Sequence, residues 1–493
     1  MDNSSGHKRI LLNAASAAIQ VIVVGLMYFF LYRYLIKTLG PSQLGIWALV
    51  VSTSSIANLA NFGITSGLVK FVADYKEVGD SEKMNKLIFT AFLSIIFFFV
   101  ILILLGYLGV GFLIRQIIDK QYIALALKVL PYSLLCLFIN EIAGVYTSIL
   151  EGFQKNYLRN IIYICSSVVF LALSYLLVPK YGLLGVTYAQ VIQSVVIFIS
   201  AFFTGIYLIT DFTLFKWNWD RVIFKQLISY GSRFQAVSVL QMLYEPATKA
   251  LLTRFGGLPA VGYYEMASRL INQVRALIVN ANQVMIPVVA RASHKGMDEV
   301  RRLYERTMSV TLFVNAPLIC AVISFSSFIS FFWIGHIEPA FIFPLIVLSI
   351  AMFFNVMCGP AYYSSLGQGK LNLLVFVSLF MALTNLGLGL ILGYFFKGHG
   401  VILSWGITFT AGSVLLIILY QRDLIVGFGR IFSRTDLFLM FVATLYTIVA
   451  ILLERNFRYS NQAFFLAVAI FLLIFIPLIL SNHNLKTFLK KST

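Results

Sequence analysis

Charged residues are scarce in this 493-residue chain, where Asp, Glu, Lys and Arg together make up only 11%. A typical soluble domain contains about a quarter. Acidic residues are the scarcest, with 19 Asp and Glu against 37 Lys and Arg, while 60% of the chain is hydrophobic and the mean hydropathy is +0.90. This composition excludes an ordinary soluble protein and indicates a protein embedded in a membrane.

Cysteine is also rare, and no common catalytic motif is present. The four cysteines, Cys136, Cys165, Cys320 and Cys358, stand singly inside hydrophobic runs, with no CxxC or Cys/His spacing that would indicate a metal site. We therefore expect them to be packing residues.

The chain lacks the GxxxxGK[ST] phosphate loop, HExxH and GxSxG. The sequence predicts neither an enzyme nor an ATP-driven pump, so work against a gradient must draw on an ion gradient, the membrane potential or a downstream reaction.

Long apolar runs are abundant. Runs near 20 residues can cross a hydrocarbon core of about 30 Å as helices, and here they are too continuous for the strands of a barrel. The predicted spans are 10–36, 44–69, 86–114, 122–150, 158–179, 183–210, 226–253, 260–290, 303–332, 340–366, 371–396, 399–420, 436–453 and 462–481. We predict an all-α polytopic membrane protein with about 14 transmembrane helices.

A glycine-containing turn occurs twice and marks an internal repeat. Residues 39–47 read LGPSQLGIW, and residues 255–263 read FGGLPAVGY. At an offset of 217, Gly40 matches Gly257, Gly45 matches Gly262 and Gly79 matches Gly296; at 215, Asn140 matches Asn355, Gly144 matches Gly359, Gly152 matches Gly367, Lys155 matches Lys370 and Gly185 matches Gly400. A two-residue deletion in the second copy explains the change of offset, and chance matches among 33 glycines are the alternative.

The repeat predicts two six-helix lobes. The first covers residues 1–210 and the second 226–420, joined by an interfacial cytoplasmic connector at 211–225, and residues 421–493 add two helices and a basic cytoplasmic tail. Because each lobe crosses the membrane an even number of times, both enter from the same side. We therefore expect the two repeats to be in parallel orientation.

Basic residues are distributed unevenly over the predicted loops. Of the 37, 23 lie in the two tails and the alternate loops counted from the N-terminus, 8 lie in the opposite loops and six lie within spans. The positive-inside rule places both termini in the cytoplasm. This distribution accounts for much of the net charge of +18 and suits anionic membrane lipids, so we expect no nucleic-acid partner.

The ionisable residues inside spans are the candidate functional residues, because each costs at least a few kcal/mol there and faces a cavity or a partner. The bases are Arg33, Lys128, Arg233, Lys249, Arg269 and Arg275, and the acids are Glu141, Glu245 and Glu265. Arg33 and Lys128 lie near span ends, where we expect them to reach the interface. The balance leaves a surplus of positive charge.

Most of these charges lie on the predicted seventh and eighth helices. Glu265, Arg269, Asn272 and Arg275 fall within about a third of the eighth helix's circumference, since each residue turns a helix by about 100°. An uncompensated guanidinium at depth needs an anion, and its bidentate fork suits phosphate. Pairing with the glutamates would leave Arg275 and Arg233 uncompensated, so we expect these two to meet an anion.

Two interpretations of the glutamates stay open. Glu245 with Lys249 and Glu265 with Arg269 are i,i+4 pairs that can neutralise one another. Alternatively, Glu245, Glu265 or Glu141 binds a coupling ion, H⁺ or Na⁺. Asn58, Asn61 and Asn272 are candidates for a polar cavity wall, although packing between helices explains such residues equally well.

The sequence resembles the polysaccharide-unit flippases, the O-antigen and exopolysaccharide group of the multidrug/oligosaccharidyl-lipid/polysaccharide exporter superfamily. The resemblance rests on Asn13-Ala-Ala-Ser16, the turn at residues 39–45, the Asn58-to-Thr65 segment NLANFGIT, and the count of six, six and two helices. It implies a MATE-like, V-shaped pair of lobes that passes an undecaprenyl-diphosphate-linked oligosaccharide to the outer leaflet of the bacterial cytoplasmic membrane. It also implies a basic central cavity that binds the diphosphate, carried here by Arg269, Arg275, Arg233 and Lys249. Polysaccharide polymerase and glycosyltransferases are the implied partners.

One feature departs from the related lipid II flippases, whose first helix contributes several arginines. Here Arg33 is the only arginine in the first predicted span, which lowers the odds of a peptidoglycan precursor as cargo. Two alternatives remain. A cation-coupled multidrug exporter of the same superfamily requires an essential cavity acid, and a scaffold for polysaccharide synthesis requires longer cytoplasmic loops than this chain has.

Overall fold

The computed structural model describes residues 3–55, 61, 63–209, 219–242, 244–283, 285–294, 296–425, 434–456, 468–475 and 477. Every regular element within these ranges is a helix. The helices are α1 Asn3–Ser54, α2 Ile64–Val78, α3 Ser81–Ile117, α4 Lys120–Gly152, α5 Asn156–Tyr181, α6 Leu183–Tyr207, α7 Arg221–Met242, α8 Tyr244–Gln283, α9 Met285–Ser293, α10 Met297–Ser324, α11 Ser326–Ile334, α12 Pro339–Met357, α13 Gly359–Gly367, α14 Leu371–Leu424 and α15 Arg434–Asn456. Residues 468–475 are also helical. The predicted all-α class is confirmed.

Nine stretches of the described residues are helical, long and apolar enough to cross a membrane. They are 15–54, 81–117, 120–152, 156–181, 183–207, 297–324, 339–367, 371–424 and 434–452. Two of these stretches each join two helices across a break, at Gly40 in α1 and at Lys397 in α14. The first contains parts of the predicted spans 10–36 and 44–69, and the second contains all of 371–396 and 399–420. The fourteenth predicted span, 462–481, lies partly outside the described residues.

The predicted second span, 44–69, is not one continuous helix. α1 ends at Ser54 and α2 begins at Ile64, after Gly63 with a φ of +72°. Glycine tolerates this left-handed conformation because it has no Cβ. A hydropathy pattern carries no information on such a break, since apolar residues flank it on both sides.

The chain divides into two compact units, Met1–Gly262 and Tyr263–Thr493, called unit 1 and unit 2 below. Helix α8 contributes residues to both. Helix α7 packs against α2 and α3, so it belongs to unit 1 although it opens the second sequence repeat. Leu227 of α7 joins Leu68 of α2, Phe99 of α3 and Ile149 of α4 in one buried apolar cluster.

Matched positions of the two repeats share unusual backbone conformations, which confirms the repeat. Gly40 and Gly257 have φ/ψ of 75°/172° and 79°/170°. Gly182 and Lys397, separated by 215 residues, have 57°/−133° and 54°/−138°. The offsets 217 and 215 therefore match positions that are equivalent in structure as well as in sequence. Gly79 and Gly296 differ, with 74°/21° and 120°/162°.

The repeated glycines also make equivalent close contacts. A Cβ on Gly185 would lie 2.5 Å from the carbonyl oxygen of Leu177, and one on Gly400 would lie 1.9 Å from that of Leu392, which is 215 residues further on. In each copy the two helices that meet at this glycine, α5 with α6 and the two parts of α14, pack backbone against backbone. Small residues allow this close approach of helices.

The additional helix α15 packs against α10 of unit 2. Asp436, in its first turn, is almost fully buried and accepts a hydrogen bond of 2.9 Å from the Ser309 hydroxyl. An acidic residue in the first turn also suits the helix dipole. The extension beyond the repeats is thus fixed to the second unit by a buried polar contact.

Candidate functional site

The second part of α8 carries an ion pair in unit 2. The Nε of Arg269 donates a hydrogen bond of 2.8 Å to Oε1 of Glu265, one turn earlier. The Glu265 side chain is only 4% exposed, whereas that of Arg269 is 43% exposed. The arrangement holds the carboxylate inside the protein and leaves part of the guanidinium accessible.

Arg275 is held differently, by an amide. Its Nε donates a hydrogen bond of 2.9 Å to Oδ1 of Asn355, near the end of α12. Within the described ranges, Arg275 makes no ion pair with a carboxylate. An amide oxygen orients a guanidinium without neutralising it, because the oxygen carries only a partial charge. Arg275 therefore keeps its full positive charge on a half-buried helix face.

Asn272 lies between the two arginines and is exposed. Its Nδ2 donates a hydrogen bond of 3.1 Å to the Ser268 hydroxyl, within the same helix. The predicted polar stripe of α8 therefore exists: Arg269 is ion-paired, and Arg275, six residues later, makes no ion pair among the described residues. Asn355 was not predicted as a site residue; its match with Asn140 in the repeat was the only signal of its position.

The first part of α8 carries a second ion pair, in unit 1. Lys249 Nζ lies 2.7 Å from Oε2 of Glu245, and the lysine side chain is buried while the glutamate side chain is 41% exposed. Both i,i+4 pairs envisaged from the sequence therefore form. The side chain of Arg233 lies outside the described part of the chain, although its backbone is in α7.

A third polar group joins α4 to the start of α2 in unit 1. The Nδ2 of Asn61 donates a hydrogen bond of 2.5 Å to Oε2 of Glu141, while Oδ1 of Asn61 accepts from the backbone N–H of Thr65 at 3.2 Å. Asn61 therefore contacts a carboxylate and the first turn of a helix at once. Asn58, the other candidate in this segment, lies outside the described residues.

The remaining in-span bases and the cysteines occupy simpler surroundings. Arg33 and Lys128 are exposed, in keeping with side chains that reach the interface. Cys136, Cys320 and Cys358 are buried as packing residues, and Cys165 is exposed.

The chain matches the family model described as polysaccharide biosynthesis protein over residues 10–293. A Shigella flexneri protein described as a candidate O-antigen transporter is 20% identical over 397 residues, which cover 79% of this chain and 92% of that protein.

Two solved structures share the fold. The lipid II flippase MurJ in an inward closed conformation matches with a TM-score of 0.74 at 14% identity, over 95% of this chain and 98% of that chain. A multidrug resistance MATE family transporter in an inward-facing conformation matches with a TM-score of 0.71 at 16% identity, over 83% and 98%. The predicted MATE-like fold is confirmed.

Proposed function

Because this chain belongs to the polysaccharide biosynthesis protein family, we propose that it is a flippase for a lipid-linked polysaccharide repeat unit. In this proposal an undecaprenyl-diphosphate-linked oligosaccharide moves from the cytoplasmic to the outer leaflet by alternating access. The relative described as a candidate O-antigen transporter and the fold shared with a lipid II flippase support this class of cargo. Such a cargo combines an apolar tail, a dianionic diphosphate and a polar glycan.

The observation that carries the proposal is the pairing of Arg275 with Asn355. A charged side chain at depth is costly unless it meets a partner. Asn355 occupies the Nε and leaves the two Nη groups of Arg275 able to form a bidentate contact, which matches the oxygens of a phosphate. In the proposed cycle the diphosphate supplies the negative charge that the described residues do not.

Arg269 and Lys249 rank below Arg275 as diphosphate ligands. Arg269 and Lys249 each share their charge with a glutamate, so each pair contributes little net charge. Arg269 keeps an accessible surface and is the second candidate, whereas the Lys249 side chain is only 5% exposed. We therefore assign the first phosphate contact to Arg275 and an auxiliary one to Arg269.

Orientation and partners follow from the same proposal. The excess of basic residues on one set of loops supports a bacterial cytoplasmic membrane location with both termini in the cytoplasm. Cargo made at the cytoplasmic face would be delivered to a polymerase at the outer face. Glycosyltransferases and polymerase are thus the proposed functional neighbours.

Complementation of a deletion strain tests the proposal. We expect Arg275→Ala and Arg275→Glu to abolish surface glycan and to trap lipid-linked units on the cytoplasmic leaflet, while Arg275→Lys retains part of the activity. Arg254→Ala is the matched control, because Arg254 is an exposed arginine of the same helix that lies over the ring of Phe255. Normal glycan with every Arg275 variant, at normal protein levels, would contradict the arginine site.

The competing function is multidrug export, as in the MATE family transporter that shares the fold. It predicts unchanged glycan in the deletion strain together with increased sensitivity to drugs or dyes. The same strains therefore separate the two functions.

A further inference from the structure

A cavity of about 630 Å³ lies within unit 2. Its walls are α10, α12, the part of α14 that follows the break at Lys397, and α15. All four walls belong to stretches that are long and apolar enough to cross a membrane. Three isoleucines of the wall, Ile350, Ile418 and Ile448, are 46%, 42% and 51% exposed. The cavity therefore opens on the surface of this unit at the depth of the membrane, where the surrounding medium is hydrocarbon.

The polar side chains of the described wall already have partners within the protein. The Nε2 of Gln421 donates a hydrogen bond of 3.3 Å to the hydroxyl of Tyr304. The hydroxyls of Thr444 and Thr447 each donate one of 2.8 Å to a backbone carbonyl oxygen one turn earlier in α15. A buried water needs about two to four polar partners, and an apolar cavity that stays dry binds apolar guests. These surroundings favour a hydrocarbon guest over water.

The dimensions of the cavity match those of one fatty acyl chain. Met308 and Ile323, the first and last wall residues of α10, are 15 positions apart, which is about 22 Å of helix at 1.5 Å per residue. One leaflet of a hydrocarbon core is about 15 Å thick. At about 30 Å³ for each small group, the liquid volume of a water molecule, the cavity accommodates on the order of 20 carbon atoms. An undecaprenyl tail is several times longer than such a chain.

The cavity and the candidate diphosphate site lie on different faces of α12. Asn355, which holds Arg275, is five positions from Ile350 of the cavity wall. Five positions correspond to a rotation of about 140° around a helix. A guest of the cavity is thus separated by α12 from the side chains proposed to bind the cargo, which indicates a resident lipid.

Two exposed arginines lie towards one end of the cavity. Gln421 is three positions before the last residue of α14, and Met440 is six positions after the first residue of α15. Arg422 directly follows Gln421, and Arg434 begins α15; both are exposed. The predicted topology places these helix ends on the cytoplasmic side.

The acidic residues at the same helix ends are bonded to other side chains. Asp423 forms an ion pair of 2.8 Å with Lys370, and Asp436 accepts a hydrogen bond from Ser309. A guanidinium matches the oxygens of a phosphate. Basic pockets between membrane helices on the cytoplasmic side bind anionic lipid head groups. The charge at this end of the cavity therefore suits the phosphate of a lipid whose chain lies inside.

We propose that this cavity binds one acyl chain of an anionic phospholipid of the cytoplasmic leaflet, with the phosphate held by Arg422 and Arg434. The inference goes beyond the proposed function, because it concerns a resident lipid and not the cargo. The acyl chain alone provides little selectivity, since the bilayer is as apolar as the cavity. The head group selects the lipid, and the chain fills the space between α15 and the second repeat.

Photolabelling of the full-length protein tests occupancy of the cavity. The protein is placed in nanodiscs of phosphatidylethanolamine and phosphatidylglycerol that contain a phosphatidylglycerol probe with a diazirine on its acyl chain, and labelled residues are mapped by mass spectrometry. We expect wild type to be labelled on wall residues such as Met308 and Met440. Absence of label from the wall would overturn the proposal.

A matched pair of tryptophan variants tests entry to the cavity. Thr444 is an exposed wall residue of α15, so Thr444→Trp should block the opening and abolish the wall label. Its neighbour Leu445 is also exposed and does not line the cavity, so Leu445→Trp should keep the label. Because both positions are exposed, neither variant overpacks the core. Equal labelling of the two variants would contradict a guest in this cavity.

The head-group contact is tested by a phosphatidylethanolamine probe with the same diazirine chain. We expect phosphatidylglycerol to label the wall more strongly than phosphatidylethanolamine in wild type and in the double variant Arg422→Lys/Arg434→Lys. The preference should disappear in Arg422→Gln/Arg434→Gln. Arg115→Gln, which changes an exposed arginine of α3, is the control and should keep it. Equal labelling by the two probes in wild type would overturn the selection of an anionic lipid.

Competition separates a resident lipid from the tail of the cargo. Unlabelled phosphatidylglycerol should reduce the wall label, whereas the same amount of undecaprenyl phosphate should leave it unchanged. Stronger displacement by undecaprenyl phosphate would assign the cavity to an isoprenoid tail and overturn the proposal. None of these measurements requires transport, so their outcomes are independent of whether the protein is a flippase.

Discussion

Gly45 and Gly262, which are equivalent residues of the two repeats, lie against each other's turn. A Cβ on Gly45 would be 2.0 Å from the carbonyl oxygen of Leu258, and a Cβ on Gly262 would be 2.3 Å from that of Pro41. Leu258 and Pro41 are themselves separated by 217 residues. The contact is therefore reciprocal, because in each copy the equivalent glycine packs against the equivalent carbonyl group of the other copy.

Alanine at either glycine should disrupt this contact. We expect Gly45→Ala and Gly262→Ala each to destabilise the protein by about 1–3 kcal/mol, the usual cost of forcing an extra group into a packed site. Thermal unfolding in detergent measures the effect. Gly109→Ala is the control, because a Cβ on Gly109 would meet nothing within 4 Å, and it should unfold at or above the wild-type temperature.

Lys397 adopts a backbone conformation that suits glycine, its counterpart Gly182 having nearly the same φ and ψ. A non-glycine residue in such a region costs about 1–3 kcal/mol. We expect Lys397→Gly to raise the unfolding temperature, and Gly182→Ala to lower it. A lower unfolding temperature for Lys397→Gly would show that the lysine side chain stabilises the break by more than its backbone costs.

A carboxylate placed beside Arg275 should compete with an anionic cargo. Asn355→Asp would give Arg275 an ion-pair partner at the position where the amide oxygen now lies 2.9 Å from Nε. We expect surface glycan to fall at least tenfold in the complemented deletion strain. Asn355→Gln, which keeps the amide, should retain more activity, whereas equal glycan in both variants would argue against a charge effect.

Asp80 gives a pH dependence at the turn between α2 and α3. Hydrogen bonds from the backbone N–H and the side chain of Lys83 hold the pKa of the Asp80 carboxyl below its ordinary value of 3.8. A lowered folded-state pKa means that the contribution is present above that ordinary value and is lost as the pH falls through the lower one. We expect protection of the Lys83 amide to fall in strong acid in wild type, and to change little in Asp80→Asn.

Composition and periodicity predicted the parts of the fold that depend on local sequence. Apolar run length predicted the helices, and i,i+4 spacing predicted the Glu245–Lys249 and Glu265–Arg269 pairs, because one helix turn brings such residues together. The repeat was visible because Gly40 and Gly257 are needed at the same backbone angles.

Contacts between distant segments were not predictable in this way. Asn355 is 80 residues from Arg275, and Asn61 is 80 residues from Glu141. Each partner is an asparagine in a span, which hydropathy alone treats as a minor interruption. Likewise, α7 belongs to unit 1 because it packs against α2 and α3, which its place in the sequence repeat did not predict.

The two repeats share their crossing glycines but not their charges. In the first copy, Asn61 and Glu141 connect the second and fourth predicted spans. In the second copy, Arg275 and Asn355 connect the equivalent spans, which are the eighth and the tenth. Duplication therefore supplied one scaffold twice, and each copy was free to acquire its own chemistry. An engineer who wished to change the cargo could alter the polar residues of α8 and α12 while leaving the glycine framework, and with it the folding of the protein, untouched.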